Sequence, residues 1–116
     1  MTIKKPKIIW GTLDFKGNYV ELTEDVRQHI LKGHSYMADL IDYVKEVIES
    51  PHVVVQSVIY EDSLIHSRQG YKSEGTSNMW LHVPVSYQVG GIGYVTTAYT
   101  QSTLKSGTII YCKKKL

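Results

Sequence analysis

The pattern of hydrophobic and polar positions predicts short strands at the start of the chain, then two helices, then strands to the end. Residues 7–15 and 18–22 read as two extended segments around a turn at residues 16–18. Thr23 predicts a helix start, because its hydroxyl can accept a hydrogen bond from a free backbone N–H of the first turn. The first helix is predicted to run until Gly33 ends it in the left-handed conformation.

An amphipathic pattern between Ser35, which can cap a helix, and Pro51, which stops one, predicts the second helix. Its charged residues are expected on the solvated face. Its apolar positions are spaced by three and four residues and form one stripe: Met37, Leu40, Ile41, Val44, Val47 and Ile48. The stripe predicts a helix that packs against the core.

The chain after Pro51 reads as strand, with β-branched runs separated by polar turns. The region 70–77 reads as a polar loop, and Pro84 within an alternating run indicates an edge or a bulge. The predicted strands cover residues 53–60, 64–68, 79–88, 92–100 and 108–112. We therefore predict one α+β domain over residues 1–116, with two N-terminal helices packed on a meandering antiparallel sheet of about four to five strands.

Length and composition fit one soluble domain. The 116 residues allow one buried core. The chain has no apolar run near the roughly 20 residues needed to span a bilayer, and its basic start is not followed by a signal-type apolar block. A single cysteine, Cys112, cannot form an internal disulfide, which favours a reducing compartment. The expected location is the cytoplasm, with no membrane contact.

The net charge of +2 conceals an asymmetry between the two halves of the chain. Residues 1–62 carry seven basic and ten acidic side chains, whereas residues 63–116 carry six basic and one acidic. A polyanion such as RNA would therefore prefer the second half, where Arg68, Lys72 and Lys105 are available contacts. The alternative is that the three consecutive lysines at 113–115 form a solvated tail and account for half of those positive charges.

Two histidines lie near the end of the first predicted helix. His34 falls in the short connection after the helix, where an imidazole can transfer protons near neutral pH, and Lys32 precedes it. The alternative is a surface or capping histidine. His29 lies five positions earlier, which is not the i, i+4 spacing of a helical zinc pair. No Cys-x-x-Cys or His-Glu-x-x-His occurs, so neither a metal nor another cofactor is expected.

Two same-face pairs on predicted strands offer further chemistry. His66 and Arg68 combine a proton-transfer group with a planar guanidinium that suits phosphate oxygens. Thr97 and Tyr99 present two hydroxyls that can hold a phosphate or orient a base. Plain structural roles are the alternatives: a solvated strand end for Arg68, and simple β-propensity for Thr97 and Tyr99.

The order of these elements resembles a known group of nucleases. A helix that ends in His29-Ile30-x-x-x-His34, an amphipathic helix that ends at Pro51, a strand hairpin and the phrase Val95-Thr96-Thr97-Ala98-Tyr99 cover about residues 20–112. This arrangement resembles the superfamily of barnase, EndoU, colicin and RelE-like (BECR) nucleases, and among them the small domains of phages and mobile elements. Members commonly carry His-Pro-Glu after the first helix, whereas this chain has His34-Ser35-Tyr36.

The resemblance implies metal-independent RNA cleavage, in which the ribose 2′-hydroxyl attacks the phosphate and leaves a cyclic phosphate. On this basis four residues are expected to be catalytic. His34 would transfer a proton, and Arg68 would stabilise the negative charge on the phosphorane. Thr97 would hold a phosphate oxygen, and Tyr99 would stack on a base or supply its hydroxyl. Lys32, His66 and Lys72 would contact substrate. It also implies a toxin with an inhibitor or antitoxin protein.

Two other functions stay open. A non-catalytic RNA- or protein-binding module of the same fold is favoured by the phrase His34-Ser35-Tyr36 and by the presence of only two arginines. A small-ligand-binding domain is favoured by the modest overall charge.

Overall fold

The computed structural model describes residues 6–113, and one large sheet dominates it. Two short α-helices, α1 (Glu24–Gly33) and α2 (Val44–Glu49), and two 3-10 turns (Ser35–Asp39 and Ile41–Tyr43) lie between the second and third strands. The strands are β1 (Ile8–Leu13), β2 (Tyr19–Thr23), β3 (Val53–Gln56), β4 (Ser63–Ser73), β5 (Thr76–Tyr87), β6 (Gly93–Val95), β7 (Tyr99–Gln101) and β8 (Thr108–Cys112).

The strand order is β1-β2-β6-β5-β4-β3-β8, and β7 pairs with β5 beyond the end of β6. Strands β2 and β6 are parallel, with Val20 opposite Gly93, and the other described pairs are antiparallel. The predicted fold class is therefore wrong: the sheet has eight strands and mixed direction, and the two α-helices are short. The β2–β6 pairing joins segments far apart in sequence, and no local pattern signals such a pairing.

The predicted second helix forms only in part. All six residues of its apolar stripe are buried, but the first half folds as 3-10 turns and only Val44–Glu49 is α-helical. Ser35 makes no side-chain capping bond. The aromatic and aspartate residues at Tyr36, Asp39 and Tyr43 are weak helix formers, so burial of the stripe fixes the position of this segment without a regular helix.

The predicted loop at 70–77 is instead the end of a long hairpin. Strand β4 continues to Ser73 and β5 begins at Thr76, joined by Glu74 and Gly75 with φ of 50° and 79°. Positive φ at both central positions is the tight turn that matches the twist of paired strands. Tyr71 and Ser73 are buried and Lys72 between them is exposed, so burial does alternate at the end of β4. The sequence does not show this alternation, because Ser73 is polar and residues 74–77 are exposed.

The sheet has a core face and an open face. Leu81, Val83 and Val85 of β5 are fully buried in the core with residues of α1 and α2. The alternate positions of β5 point to the open face, together with their partners on β4, such as Ser63 opposite Ser86. The connection from β7 to β8, residues 102–107, crosses the open face, because the Thr103 carbonyl lies 3.1 Å from Nε2 of His82, an open-face residue of β5. We call it the crossing segment.

The parallel pairing of β2 and β6 depends on the absence of a side chain at Gly93. A Cβ there would lie 2.8 Å from Val85 Cγ1 and 2.9 Å from the Tyr87 ring, which is closer than carbon atoms pack. Gly93→Ala is therefore expected to lower the free energy of unfolding by about 1–3 kcal/mol, as measured by urea denaturation. Gly33→Ala is the matched control, since nothing lies within 4 Å of a Cβ at that position. Equal stability of the two variants would contradict this account of the pairing.

Candidate functional site

The open face carries two adjoining clefts of about 470 and 220 Å³. Both are lined by hydroxyl-bearing residues: Tyr60, Ser63, Thr96 and Thr97. The larger cleft is also lined by His29, Asp62 and Ser86, and the smaller by Tyr99 and Lys105. Because they share four lining residues, we treat them as one site and call it the hydroxyl cleft.

The walls of the hydroxyl cleft are fixed by the sheet. Ser63 and Ser86 are directly opposed on β4 and β5. The predicted strand 92–100 is broken at residues 96–98, where Thr96 donates a backbone hydrogen bond to the Pro84 carbonyl at 3.0 Å. Ala98 is fully buried, which fixes this connection and leaves Thr97 at the cleft wall.

The predicted residues His34, Thr97 and Tyr99 are brought to the same part of the molecule. The His34 ring lies 6.0 Å from the Tyr99 ring between centroids, and Thr97 and Tyr99 both line the smaller cleft. The Tyr36 hydroxyl accepts a hydrogen bond from the Thr100 backbone N–H at 3.2 Å, which joins the segment after α1 to β7. His34 itself is half-buried and does not line the described clefts.

His29 is the histidine that lies in the hydroxyl cleft. It is exposed on α1, and the neighbouring Ile30 is fully buried and anchors the helix. From the sequence, His29 is weighed only as a zinc partner of His34. Two residues five positions apart on a helix point in clearly different directions. The spacing of His29 and His34 is therefore compatible with one of them facing the cleft and the other facing elsewhere. Which direction faces a cleft depends on how α1 packs, and the sequence carries no signal for that.

The charged groups of the hydroxyl cleft lie at opposite ends. In the larger cleft, Asp62 accepts a hydrogen bond from the Ser86 hydroxyl at 2.7 Å. In the smaller cleft, the Lys105 ammonium lies 5.4 Å from the centroid of the Tyr99 ring. An anion is attracted to the Lys105 end and repelled from the Asp62 end.

The crossing segment is held by a buried histidine. The Thr103 carbonyl can only accept, so Nε2 of His82 donates to it at 3.1 Å, and Nδ1 accepts from the Ser67 hydroxyl at 2.7 Å. In this tautomer both ring nitrogens are paired. Burial lowers the pKa of His82, and the nearby Lys105 lowers it further, although the Thr103 hydrogen bond opposes this. His82 thereby fixes the segment that carries Lys105.

Arg68 lies on the core face, away from the hydroxyl cleft. It is opposite Leu81, a core residue, and its guanidinium donates to the Ser50 carbonyl at 2.6 Å. The same-face relation of His66 and Arg68 holds, but that face is turned toward the helices. The structure therefore does not bring Arg68 together with His34 and Thr97 in one pocket.

His66 is fully buried within a polar cluster on the core face. Its Nδ1 lies 3.3 Å from the Val83 carbonyl and its Nε2 3.1 Å from the Tyr87 hydroxyl, which donates to Asp14 at 2.6 Å. Burial lowers the pKa of His66 to about 4, although the Val83 carbonyl and the Asp14 carboxylate favour the charged ring. The structure gives His66 no access to substrate in the hydroxyl cleft.

The two predicted substrate lysines also lie elsewhere. Lys72 lines a separate cleft of about 370 Å³ with Asp39 and Tyr43. Lys32 is exposed in the last turn of α1 and does not line the hydroxyl cleft. Of the predicted catalytic residues, Thr97 and Tyr99 line the hydroxyl cleft, and His34 lies beside Tyr99. Lys105, which the charge distribution offered as a contact for a polyanion, also lines it.

Within residues 6–113, no three His, Cys, Asp or Glu side chains are grouped closely enough to hold a metal ion. None of the helices in this range is both long and apolar enough to cross a bilayer. No family model, curated protein or solved structure matches this chain.

Proposed function

We propose that the protein is a metal-independent endoribonuclease whose active site is the hydroxyl cleft. One observation carries the proposal: an imidazole, several hydroxyls and an ammonium group surround a single cleft. The larger part, about 470 Å³, is within the size range of small-ligand sites and has room for a nucleotide. His29 supplies the imidazole, Thr97 a hydroxyl and Lys105 the positive charge.

The proposed reaction is an internal transfer at phosphorus. His29 accepts the proton of the ribose 2′-hydroxyl, and that oxygen forms a bond to the adjacent phosphorus. The bond from phosphorus to the 5′-oxygen breaks, and the leaving oxygen takes a proton from the Tyr99 hydroxyl, which lines the smaller cleft with its ring 6.0 Å from that of His34. The products are a 2′,3′-cyclic phosphate and a free 5′-hydroxyl. No water, metal or oxidant is consumed.

The charge that develops on the phosphate oxygens needs donors that are already in place. Lys105 and the Thr97 hydroxyl take this role in our proposal, because both line the smaller cleft. Arg68, which the resemblance assigned to this charge, is bonded to Ser50 on the other face. Tyr99 positions Lys105 and closes the cleft beside His34.

A non-catalytic RNA-binding module is the second candidate. It is favoured by the position of His34 outside the hydroxyl cleft and by the phrase His34-Ser35-Tyr36. In the nuclease proposal the protein acts as a toxin in the cytoplasm, and a neighbouring inhibitor or antitoxin protein covers the hydroxyl cleft until release.

The test is incubation of purified protein with single-stranded RNA at low salt in excess EDTA. Fragments that end in cyclic phosphate and begin with 5′-hydroxyl are the expected products. Cleavage abolished by EDTA would contradict the metal-independent mechanism, and tight binding without fragments would favour the binding module. Absence of both binding and cleavage at low salt, where phosphate contacts are strongest, would favour a small-ligand domain.

A further inference from the structure

The loop of residues 57–62 presents three consecutive large apolar side chains to solvent. Val58, Ile59 and Tyr60 are 74%, 76% and 65% exposed. Scattered exposed apolar residues are ordinary, but a contiguous group at the mouth of a cleft is typical of a binding surface. The loop therefore needs an explanation beyond its role as a connection between β3 and β4.

This loop is internally braced. The Ser57 hydroxyl accepts hydrogen bonds from the backbone N–H groups of Ile59 and Tyr60 at 3.2 and 3.1 Å. The Gln56 side-chain amide donates to the carbonyls of Glu61 and Ser63 at 3.0 and 3.1 Å. Backbone polar groups of the loop are thus paired within it, while the side chains of residues 58–60 face solvent. A surface held in this way loses little conformational entropy when a ligand binds.

The exposed group is continuous with the hydroxyl cleft. Tyr60 lines both parts of the cleft, and Ile59 lines the smaller part. A phosphate is attracted to the end that holds Lys105 and repelled from the end that holds Asp62. A nucleotide with its phosphate near Lys105 and Thr97 would therefore bring its base against the wall formed by Tyr60.

We infer that residues 57–62 form a stacking platform on which Tyr60 receives one unpaired nucleobase of the substrate. The inference rests on the proposed ribonuclease function and narrows its substrate to single-stranded RNA. In a duplex both faces of each internal base are covered by neighbouring bases, so an aromatic ring cannot stack on them. An unpaired base offers a free face, and stacking on tyrosine tolerates any base.

The test measures binding without cleavage. The probe is a fluorescein-labelled, single-stranded 2′-O-methyl RNA hexanucleotide, which lacks the attacking hydroxyl, and the readout is fluorescence anisotropy at low salt. Tyr60→Ala is expected to raise the Kd by about 10- to 100-fold, which is the contribution of one stacked base. Tyr60→Phe and Tyr60→Trp keep an aromatic ring, so their Kd is expected to stay within about threefold of wild type.

Tyr43→Ala is the matched control, because Tyr43 is also an exposed tyrosine but lines the cleft that holds Lys72. It is expected to bind the hexanucleotide as wild type does, and a fully paired duplex is expected to bind wild type more weakly than the single strand. Equal binding by wild type and Tyr60→Ala would overturn the platform and favour a protein partner for this loop. Absence of binding by wild type, or preference for the duplex, would also overturn it.

The two proposals fail separately. If binding of the hexanucleotide depends on Tyr60 but natural RNA is not cleaved, the stacking platform is supported and the ribonuclease proposal is contradicted. Cleavage of natural RNA in EDTA, together with a Kd that is unchanged in Tyr60→Ala, would support the nuclease proposal and contradict the stacking platform.

Discussion

Replacing His29 with alanine is expected to lower kcat/KM for RNA cleavage by about 10²- to 10⁴-fold, the usual contribution of general acid–base catalysis. His29 is the histidine that lines the hydroxyl cleft, and in our proposal it accepts the proton of the attacking 2′-hydroxyl. The ring is exposed on α1, so its removal should leave the fold intact. Initial cleavage rates on a single-stranded substrate in EDTA measure the effect, and thermal melting confirms folding.

His52→Ala is the matched control for this loss of an imidazole. His52 is half-buried beside Trp80 and accepts a hydrogen bond from the Gln69 backbone, and it does not line the hydroxyl cleft. We expect this variant to retain wild-type activity. Full activity of the His29→Ala variant would show that His29 takes no part in the mechanism. If the His34→Ala variant is inactive in the same assay, proton transfer is assigned to His34.

The second large effect is a loss of stability on acidification. The pKa of His66 is lowered to about 4 in the folded protein from its ordinary value of 6.5, because the ring is buried. Between these values the unfolded chain binds more protons than the folded protein, so falling pH favours unfolding. The contribution of His66 is fully present above pH 6.5 and is lost as the pH falls toward 4. A shift of this size corresponds to about 3 kcal/mol.

Urea denaturation of wild type and His66→Gln at pH 7 and pH 4 measures this contribution. Glutamine does not titrate, so the stability advantage of wild type over the variant should shrink by about 3 kcal/mol between the two pH values. The comparison cancels the titrating groups that do not interact with His66, including His82, whose pKa is also lowered by burial. A constant difference between wild type and variant would show that His66 does not cause the pH dependence.

The sequence predicted which residues are buried better than it predicted the fold. The three-and-four spacing from Met37 to Ile48 identified residues that are indeed in the core, because the core requires only that one side of the segment be apolar. The same spacing did not distinguish an α-helix from consecutive 3-10 turns. The parallel β2–β6 pair was missed because Val20 and Gly93 become neighbours only after the intervening strands have formed.

Part of the hydroxyl cleft was predictable for a similar reason. Alternation predicted a common face for Thr97 and Tyr99, and both line the cleft. Thr97, however, lies in the break between β6 and β7, so its place there comes from the path of this connection and not from alternation along a strand. The same rule correctly placed His66 and Arg68 on a common face, but alternation does not tell which face packs against the helices. His29 and Lys105 depend on the packing of α1 and on the path of the crossing segment, and these are properties of the whole fold.

The parallel pairing has a consequence for biosynthesis. During translation the hairpin of β1 and β2 leaves the ribosome long before Gly93, the residue that pairs with Val20. Until then the inner edge of β2 has unpaired backbone donors and acceptors, and closing so long a loop is slow. The nascent chain therefore carries an open strand edge until Gly93 has emerged, and this is the stage at which it is most exposed to wrong pairing with other chains.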